Sequence, residues 1–167
     1  MRDDDDLMIE MDVKALMTDP VSQVPIVILR NDETARFLPI WIGAAEANAI
    51  ALRLQEVESP RPMTHDLMVD LVDALESEVV RIVVCDLAES TFYAEVVLER
   101  HGEEISVDSR PSDAIALALR ADAPIFVLED VLEKAKTDEN TERLTEDEKI
   151  KKLLEELDPD DMGEYTM

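Results

Sequence analysis

The stretch SVDSRPSDAIALALRADAP (residues 106–124) decides how this chain folds, because it leads from a strand into an unusually apolar helix. Arg110, Ser112 and Asp113 gather at the start of that helix, and beyond them Ala alternates with Ile or Leu. Pro111 suits the first helical position, where its missing N–H is not needed. Small side chains let two backbones approach closely, so we expect this helix (111–120) to be buried on several sides.

The same pattern occurs earlier in the chain. IWIGAAEANAIALRL (40–54) aligns with ISVDSRPSDAIALAL (105–119) at a shift of 65 residues, and each copy follows a predicted hairpin. Antiparallel hairpins combined with helices predict an α+β fold, in which a duplicated hairpin-plus-helix unit builds an antiparallel or mixed sheet packed with Ala-rich helices. We expect the two Ala-rich helices to be neighbours related by a pseudo-twofold axis.

The remaining elements follow from hydrophobic periodicity. LMIEMDVKALM (7–17) alternates strictly and predicts a strand with one apolar face, made of Leu7, Ile9, Met11, Val13, Ala15 and Met17. Thr64 is the expected N-cap of an amphipathic helix (65–76) in which Leu67, Leu71 and Leu75 recur every four residues. Further strands are expected at 79–87 and from Pro124, and a short helix follows them.

Three regions are expected along the chain. Residues 1–6 form an acidic N-terminal tail, residues 7–136 the folded domain, and residues 137–167 an acidic linker with a C-terminal helical tail. We expect the linker at 137–145 and the helix at 146–157, whose stripe of Ile150, Leu153, Leu154 and Leu157 docks on its own domain or on a neighbouring subunit.

Composition excludes several classes of protein. The net charge is -25, from 41 acidic and 16 basic residues, which argues against a broad phosphate-binding surface. No apolar run could span a membrane, and the acidic N-terminus differs from a signal peptide, so a cytoplasmic protein is predicted. The lone Cys85 fits a reducing compartment. Gly-rich phosphate loops and zinc-binding patterns are missing from the sequence.

Two polar clusters are candidate sites. Arg110 lies where the helix dipole is positive, so its charge needs a partner: Asp108 or Asp113 in an ion pair, or a ligand phosphate. His65 and Asp66 open another helix, where His65 is a candidate general base or metal ligand and Asp66 also suits a first helical turn. Capping and solvated helix starts are the alternative explanation for both clusters.

A resemblance to a known family adds to these observations. FLPIWIGAAEANAIAL, PRPMTHDLMVDLVDAL, TFYAEVVLE and EISVDSRPSDAIALALRADAPIFV, in that order, resemble the bifunctional nuclease (BFN) domain family over roughly residues 7–136. Membership implies a compact α+β domain, a homo-oligomer, and nuclease activity toward DNA and RNA. The matching positions that can carry chemistry are Glu46, His65, Asp66, Arg110 and Asp113.

Two functions follow as hypotheses. The first is a nuclease that hydrolyses phosphodiester bonds of DNA or RNA with Mg²⁺ or Mn²⁺, its substrate being nucleic acid. Arg110 would bind phosphate, His65 would move a proton, and Glu46, Asp66 or Asp113 would hold the metal. The alternative is a non-catalytic oligomeric regulatory module that binds a small anion or a protein partner, with Arg110 and Asp113 as an internal ion pair.

Overall fold

Seven strands and six helices make up the part of the chain that the computed structural model describes, residues 7–156. The strands are β1 (Met8–Thr18), β2 (Pro25–Arg30), β3 (Phe37–Trp41), β4 (Glu78–Ala88), β5 (Thr91–Arg100), β6 (Glu103–Ser109) and β7 (Ile125–Leu128). The helices are α1 (Ala44–Leu54), α2 (Thr64–Ala74), α3 (Pro111–Ala121), α4 (Glu129–Lys136), α5 (Glu139–Glu146) and α6 (Glu148–Glu156). Among these helices, none combines the length and the apolar character needed to cross a membrane.

The strands form one mixed sheet whose order shows the duplication. The order is β3-β2-β1-β7-β4-β5-β6. β1, β2 and β3 follow one another outward on one side of β7, and β4, β5 and β6 follow one another outward on the other side. β1 pairs with β7 antiparallel, whereas β4 pairs with β7 parallel, and the other neighbours are antiparallel. The predicted α+β class and its duplicated unit are confirmed.

The two Ala-rich helices α1 and α3 pack against each other, as predicted. α3 is buried from Pro111 to Ala118 except at Asp113. The small side chains that allow this approach are buried in both helices: Ala47, Ala49, Ala51, Ala114, Ala116 and Ala118. Their close contact sets the two helix starts side by side, which is what positions the site described below.

The alternation predicted for β1 is wrong in its second half. The pairing of β1 with β2 shifts register between Val13 and Ala15, which marks a β-bulge. Because a bulge adds one residue, the side chains beyond it change faces. Leu16 therefore joins the main core beside Val13, while Ala15 and Met17 pack on the opposite face of the sheet, and Leu7 is exposed.

The start of α2 also differs from the prediction. Met63, not Thr64, is the N-cap, because the Asp66 carboxylate turns back to accept the backbone N–H of Met63 at 2.9 Å. A carboxylate at the third helical position can satisfy that donor without a Ser or Thr cap. Met68, Val69 and Val72 pack against the core, and the leucine stripe lies on the exposed side of the helix.

The linker predicted at 137–145 is wrong, since α5 occupies most of it. Leu144 of α5 and Ile150 of α6 are buried against Ile26 and Ile28 of β2, on the second face of the sheet. Only Thr141 and Leu144 of α5 are buried, so the sequence of this helix is mostly polar and has the composition of a linker. The C-terminal helix docks on its own domain, with Leu154 at the edge of this cluster, and Leu157 lies outside the described residues.

A fully buried carboxylate, Asp19, ties α5 to the sheet. Its oxygens accept the N–H groups of Val21 and of the Trp41 indole, each at 2.9 Å, and they bond both terminal nitrogens of Arg143. The Arg143 guanidinium does most to hold the pKa of Asp19 far below its usual range; burial opposes this shift, and the Trp41 and Val21 donors add to it. One side chain thus links the β1–β2 turn, β3 and α5.

Replacing Asp19 should destabilise the protein in a pH-dependent way. Asp19→Asn should lower the free energy of unfolding at pH 7 by roughly 2–3 kcal/mol, the lower end for a broken buried pair because Arg143 is partly exposed. The folded pKa is depressed, so this stabilisation is complete above pH about 4 and fades as pH falls further. Urea unfolding from pH 7 to pH 3 measures the difference between variant and parent.

The matched control is Asp122→Asn, because Asp122 is an exposed aspartate 3.9 Å from Arg53. It should change the unfolding free energy by less than about 0.5 kcal/mol at any pH. Equal effects of the two substitutions would contradict the role given to Asp19.

Candidate functional site

Four of the five predicted site residues meet at the adjoining starts of α1, α2 and α3. Arg110, the N-cap of α3, donates from Nε to Asp113 Oδ2 at 2.8 Å and from Nη2 to Glu46 Oε1 at 2.8 Å. His65 Nε2 lies 3.0 Å from Asp113 Oδ1. The result is one chain of polar contacts, His65–Asp113–Arg110–Glu46, which joins the consecutive helices α1 and α2 to α3.

Asp113 is the centre of this network because each of its oxygens has a different partner. Burial raises the pKa of the Asp113 carboxyl, but the hydrogen bonds from His65 and Arg110 outweigh burial and hold the pKa below its usual value. Asp113 in turn raises the pKa of Arg110, and Glu46 adds to that effect. At neutral pH the carboxylate is therefore ionised and can hold the guanidinium in one orientation.

The carboxylates that contact Arg110 are only partly those expected from the sequence. The sequence left Asp108 and Asp113 open as partners of Arg110, and the observed partners are Asp113 and Glu46. The Glu46 side chain folds back over Gly43, the N-cap of α1, where any Cβ would collide with Glu46 Oε2. A side chain at position 43 would therefore require the Glu46 carboxylate to shift from where it contacts Arg110.

Asp66 lies outside the network although it follows His65 directly. Arg120 Nε donates to Asp66 Oδ1 at 2.7 Å, and its other nitrogens donate to the carbonyls of Ala116 and Ala49. The N–H of Met63 lowers the pKa of Asp66 most, burial opposes this, and Arg120 adds to the lowering. Asp66 and Arg120 therefore join α1, α2 and α3 structurally. Sequence analysis missed Arg120, although it follows Asp113 by two helical turns and so shares its face of α3.

A cleft of about 370 Å³ opens beside Arg110. Arg110 is 67% exposed, so its guanidinium is open to a ligand even while it contacts two carboxylates. The cleft is also lined by the starts of α1 and α3, by two aromatic rings and by the start of α5: Gly43, Pro111, Ser112, Trp41, Phe92, Asp138 and Asn140. His65, by contrast, is nearly buried and does not line this cleft.

The carboxylates predicted to hold a metal do not form a ligand set. Glu46 and Asp113 both face Arg110, and Asp66 is turned toward Arg120. Each of these carboxylates thus already contacts an arginine. Within residues 7–156, no three His, Cys, Asp or Glu side chains are grouped as metal ligands. The residues do not fit a Mg²⁺ or Mn²⁺ site in this arrangement.

Comparisons with known proteins place the chain in a family. The family model described as the bifunctional nuclease domain matches residues 27–140, more than half of the chain. An uncharacterized protein of Mycobacterium tuberculosis is 43% identical over 161 residues, covering 91% of this chain and 96% of that protein. Bifunctional nuclease 2 of Arabidopsis thaliana is 31% identical over 105 residues, which is 61% of this chain but 32% of the plant protein. The chain, whose matching blocks supply Glu46, His65, Arg110 and Asp113, belongs to the bifunctional nuclease domain family.

Proposed function

We propose that this protein is a nuclease that hydrolyses phosphodiester bonds and binds the scissile phosphate at Arg110. The observation that carries the proposal is the exposed Arg110 guanidinium, fixed by Asp113 and Glu46 at the edge of a cleft. Nε and Nη2 of Arg110 contact the two carboxylates, which leaves the N–H groups of Nη1 to donate to a phosphate oxygen. Family membership and the plant relatives' names support the reaction class.

The surroundings of Arg110 suit a nucleotide. α1 and α3 both begin at this cleft, and neither has an N-cap side chain bonded to its first turn, so backbone N–H groups at these helix starts can add to the binding of an anion. Trp41 and Phe92 add aromatic surface against which a base can stack. The chain's net charge of -25 argues against a broad basic surface, so contact with a phosphate would depend on donors placed locally, as at Arg110.

The geometry favours a positioning role for His65 over the proton transfer expected from the sequence. His65 Nε2 is engaged with Asp113, and the side chain is only 8% exposed. In this proposal His65 orients Asp113, Asp113 and Glu46 orient Arg110, and Arg110 stabilises charge on the phosphate in the transition state. Dependence on Mg²⁺ or Mn²⁺ stays a prediction, as do homo-oligomer formation and a cytoplasmic location.

Loss of Arg110 should strongly reduce cleavage with little effect on folding. Arg110→Ala should lower kcat/KM on labelled single-stranded DNA and RNA by about 100-fold, the usual effect of removing one donor to transition-state charge. The Arg110 side chain is 67% exposed, so solvent screens its ion pairs and the unfolding free energy should fall by less than about 1 kcal/mol. Arg100→Ala, an exposed arginine at the far end of β5, is the control and should cleave like the parent. Parallel reactions with EDTA test the metal requirement, and unchanged cleavage by Arg110→Ala would refute the assignment of the site.

Two substitutions of His65 separate positioning from proton transfer. Gln places a neutral N–H donor near the position of His Nε2, so His65→Gln should keep cleavage within about fivefold of the parent, whereas His65→Ala should lose about 100-fold. The pH profile of kcat/KM between pH 5 and pH 9 should keep its shape in His65→Gln. If His65→Gln is as inactive as His65→Ala and the profile loses a limb near neutral pH, His65 moves the proton after all.

The second candidate function is the non-catalytic regulatory module. The observation in its favour is that Arg110 bridges α1 and α3 through Glu46 and Asp113, as an internal ion pair would. This alternative expects Arg110→Ala to lower the melting temperature clearly while the purified parent cleaves neither DNA nor RNA. Melting curves measured beside the cleavage assay therefore decide between the two.

A further inference from the structure

An exposed apolar row runs along α2 and includes the residue that caps it. Met63, Leu67, Leu71 and Leu75 follow one another every four residues and are 41%, 50%, 53% and 61% exposed. The opposite side of the same helix already supplies the contacts to the core. Contiguous apolar surface of this kind on a protein exterior marks an interaction site more often than chance exposure does.

The row continues into a cleft of about 380 Å³. Met63 belongs to both, since it precedes α2 and lines the cleft. The apolar wall of the cleft also includes Leu52, Val57, Pro60, Pro62 and Val69. We call the combination of the row and this cleft the α2 surface.

The charge around the α2 surface is negative. Glu58, Asp66 and Asp70 line the cleft, and Asp73 is exposed farther along the helix. α2 itself contains no Lys or Arg. Two arginines also line the cleft: Arg120 is paired with Asp66, and Arg53 donates to the Leu119 carbonyl at 3.0 Å and keeps its charge. The unmatched charge on α2 itself is therefore that of Asp70 and Asp73.

This charge decides which occupant fits. Two copies of the α2 surface placed face to face would bring carboxylates against carboxylates, which costs free energy. A partner with apolar side chains on one face and Lys or Arg beside them would cover the leucines and pair the carboxylates at once. Such a partner is a basic amphipathic helix, whose apolar residues at three- and four-residue spacing match the row on α2.

We propose that the α2 surface binds a basic amphipathic helix of another protein. The proposal is independent of the nuclease function, because Arg110 and its cleft take no part in it. The probe is a synthetic peptide of Leu and Lys with one apolar face, compared with a scrambled peptide of the same composition. Calorimetry with the full chain should show the amphipathic peptide binding at least about tenfold more tightly, a difference of about 1.4 kcal/mol.

Matched variants locate the binding. Leu67→Ser/Leu71→Ser and Asp70→Asn/Asp73→Asn should each weaken binding by about tenfold. The controls lie on β6, where Ile105 and Val107 are 46% and 45% exposed. Ile105→Ser/Val107→Ser and Glu103→Gln/Asp108→Asn should leave the affinity within about twofold. The proposal would be overturned if the β6 variants weakened binding as much as the α2 variants do. It would also be overturned if the amphipathic peptide bound no more tightly than the scrambled peptide, which would show attraction to the net charge alone.

Sedimentation velocity tests the competing occupant, a second copy of the chain. The parent and Leu67→Ser/Leu71→Ser should sediment as the same species if the surface is reserved for another protein. A parent oligomer that dissociates in this variant would overturn the proposal. Where the serine variant fails to fold, Asp70→Asn/Asp73→Asn replaces it. Neutral amides remove repulsion between two α2 surfaces, so a parent oligomer formed through this surface would be stabilised in the amide variant. That result would also overturn the proposal.

Discussion

The close approach of α1 and α3 is the constraint on which the rest of the structure depends. Alanine at every other position of both helices removes the bulk that would keep their backbones apart. Each helix also donates a hydrogen bond to the other: Arg53 of α1 donates to the Leu119 carbonyl, and Arg120 of α3 donates to the Ala49 carbonyl. A larger side chain at Ala49 or Ala116 would separate the helices and both hydrogen bonds together.

The candidate site is a direct result of that packing. Two helices from two copies of one unit begin side by side, so Glu46 from the first copy can reach Arg110 from the second. An arginine is ordinarily disfavoured at the positive end of a helix, and here two carboxylates compensate it. Because the same arginine stays exposed at a cleft, the arrangement keeps a guanidinium accessible from solvent within a chain of strongly negative charge.

Structural features that depend on the periodicity of apolar residues were predictable from the sequence. Features that depend on a single inserted residue, or on a contact between residues far apart in the chain, were not. The repeat at 40–54 and 105–119 predicted the duplicated fold and the pairing of α1 with α3, because small residues at helical spacing leave few other packings. The bulge in β1 gives no signal in an alternating sequence, and the helix α5 is hidden among polar residues. The partnership of Asp19 with Arg143 spans 124 residues and belongs to no motif.

The candidate site was likewise predictable only in part. Clustering of polar residues at helix starts predicted that Glu46, His65, Arg110 and Asp113 belong together, and they do. Asp66 was grouped with them because it is adjacent to His65, but successive residues of a helix point in different directions, and Asp66 faces Arg120. The sequence also could not show that the candidate metal ligands face arginines, since that depends on how three helices cross.

The most direct test of the account is a crystal structure of the protein with a short phosphorothioate oligonucleotide. The account predicts a backbone phosphate within about 3 Å of the Arg110 guanidinium, at the starts of α1 and α3, with a base beside Trp41 or Phe92. An oligonucleotide bound on another surface, with Arg110 still enclosed by Glu46 and Asp113 and no phosphate near it, would contradict the central claim.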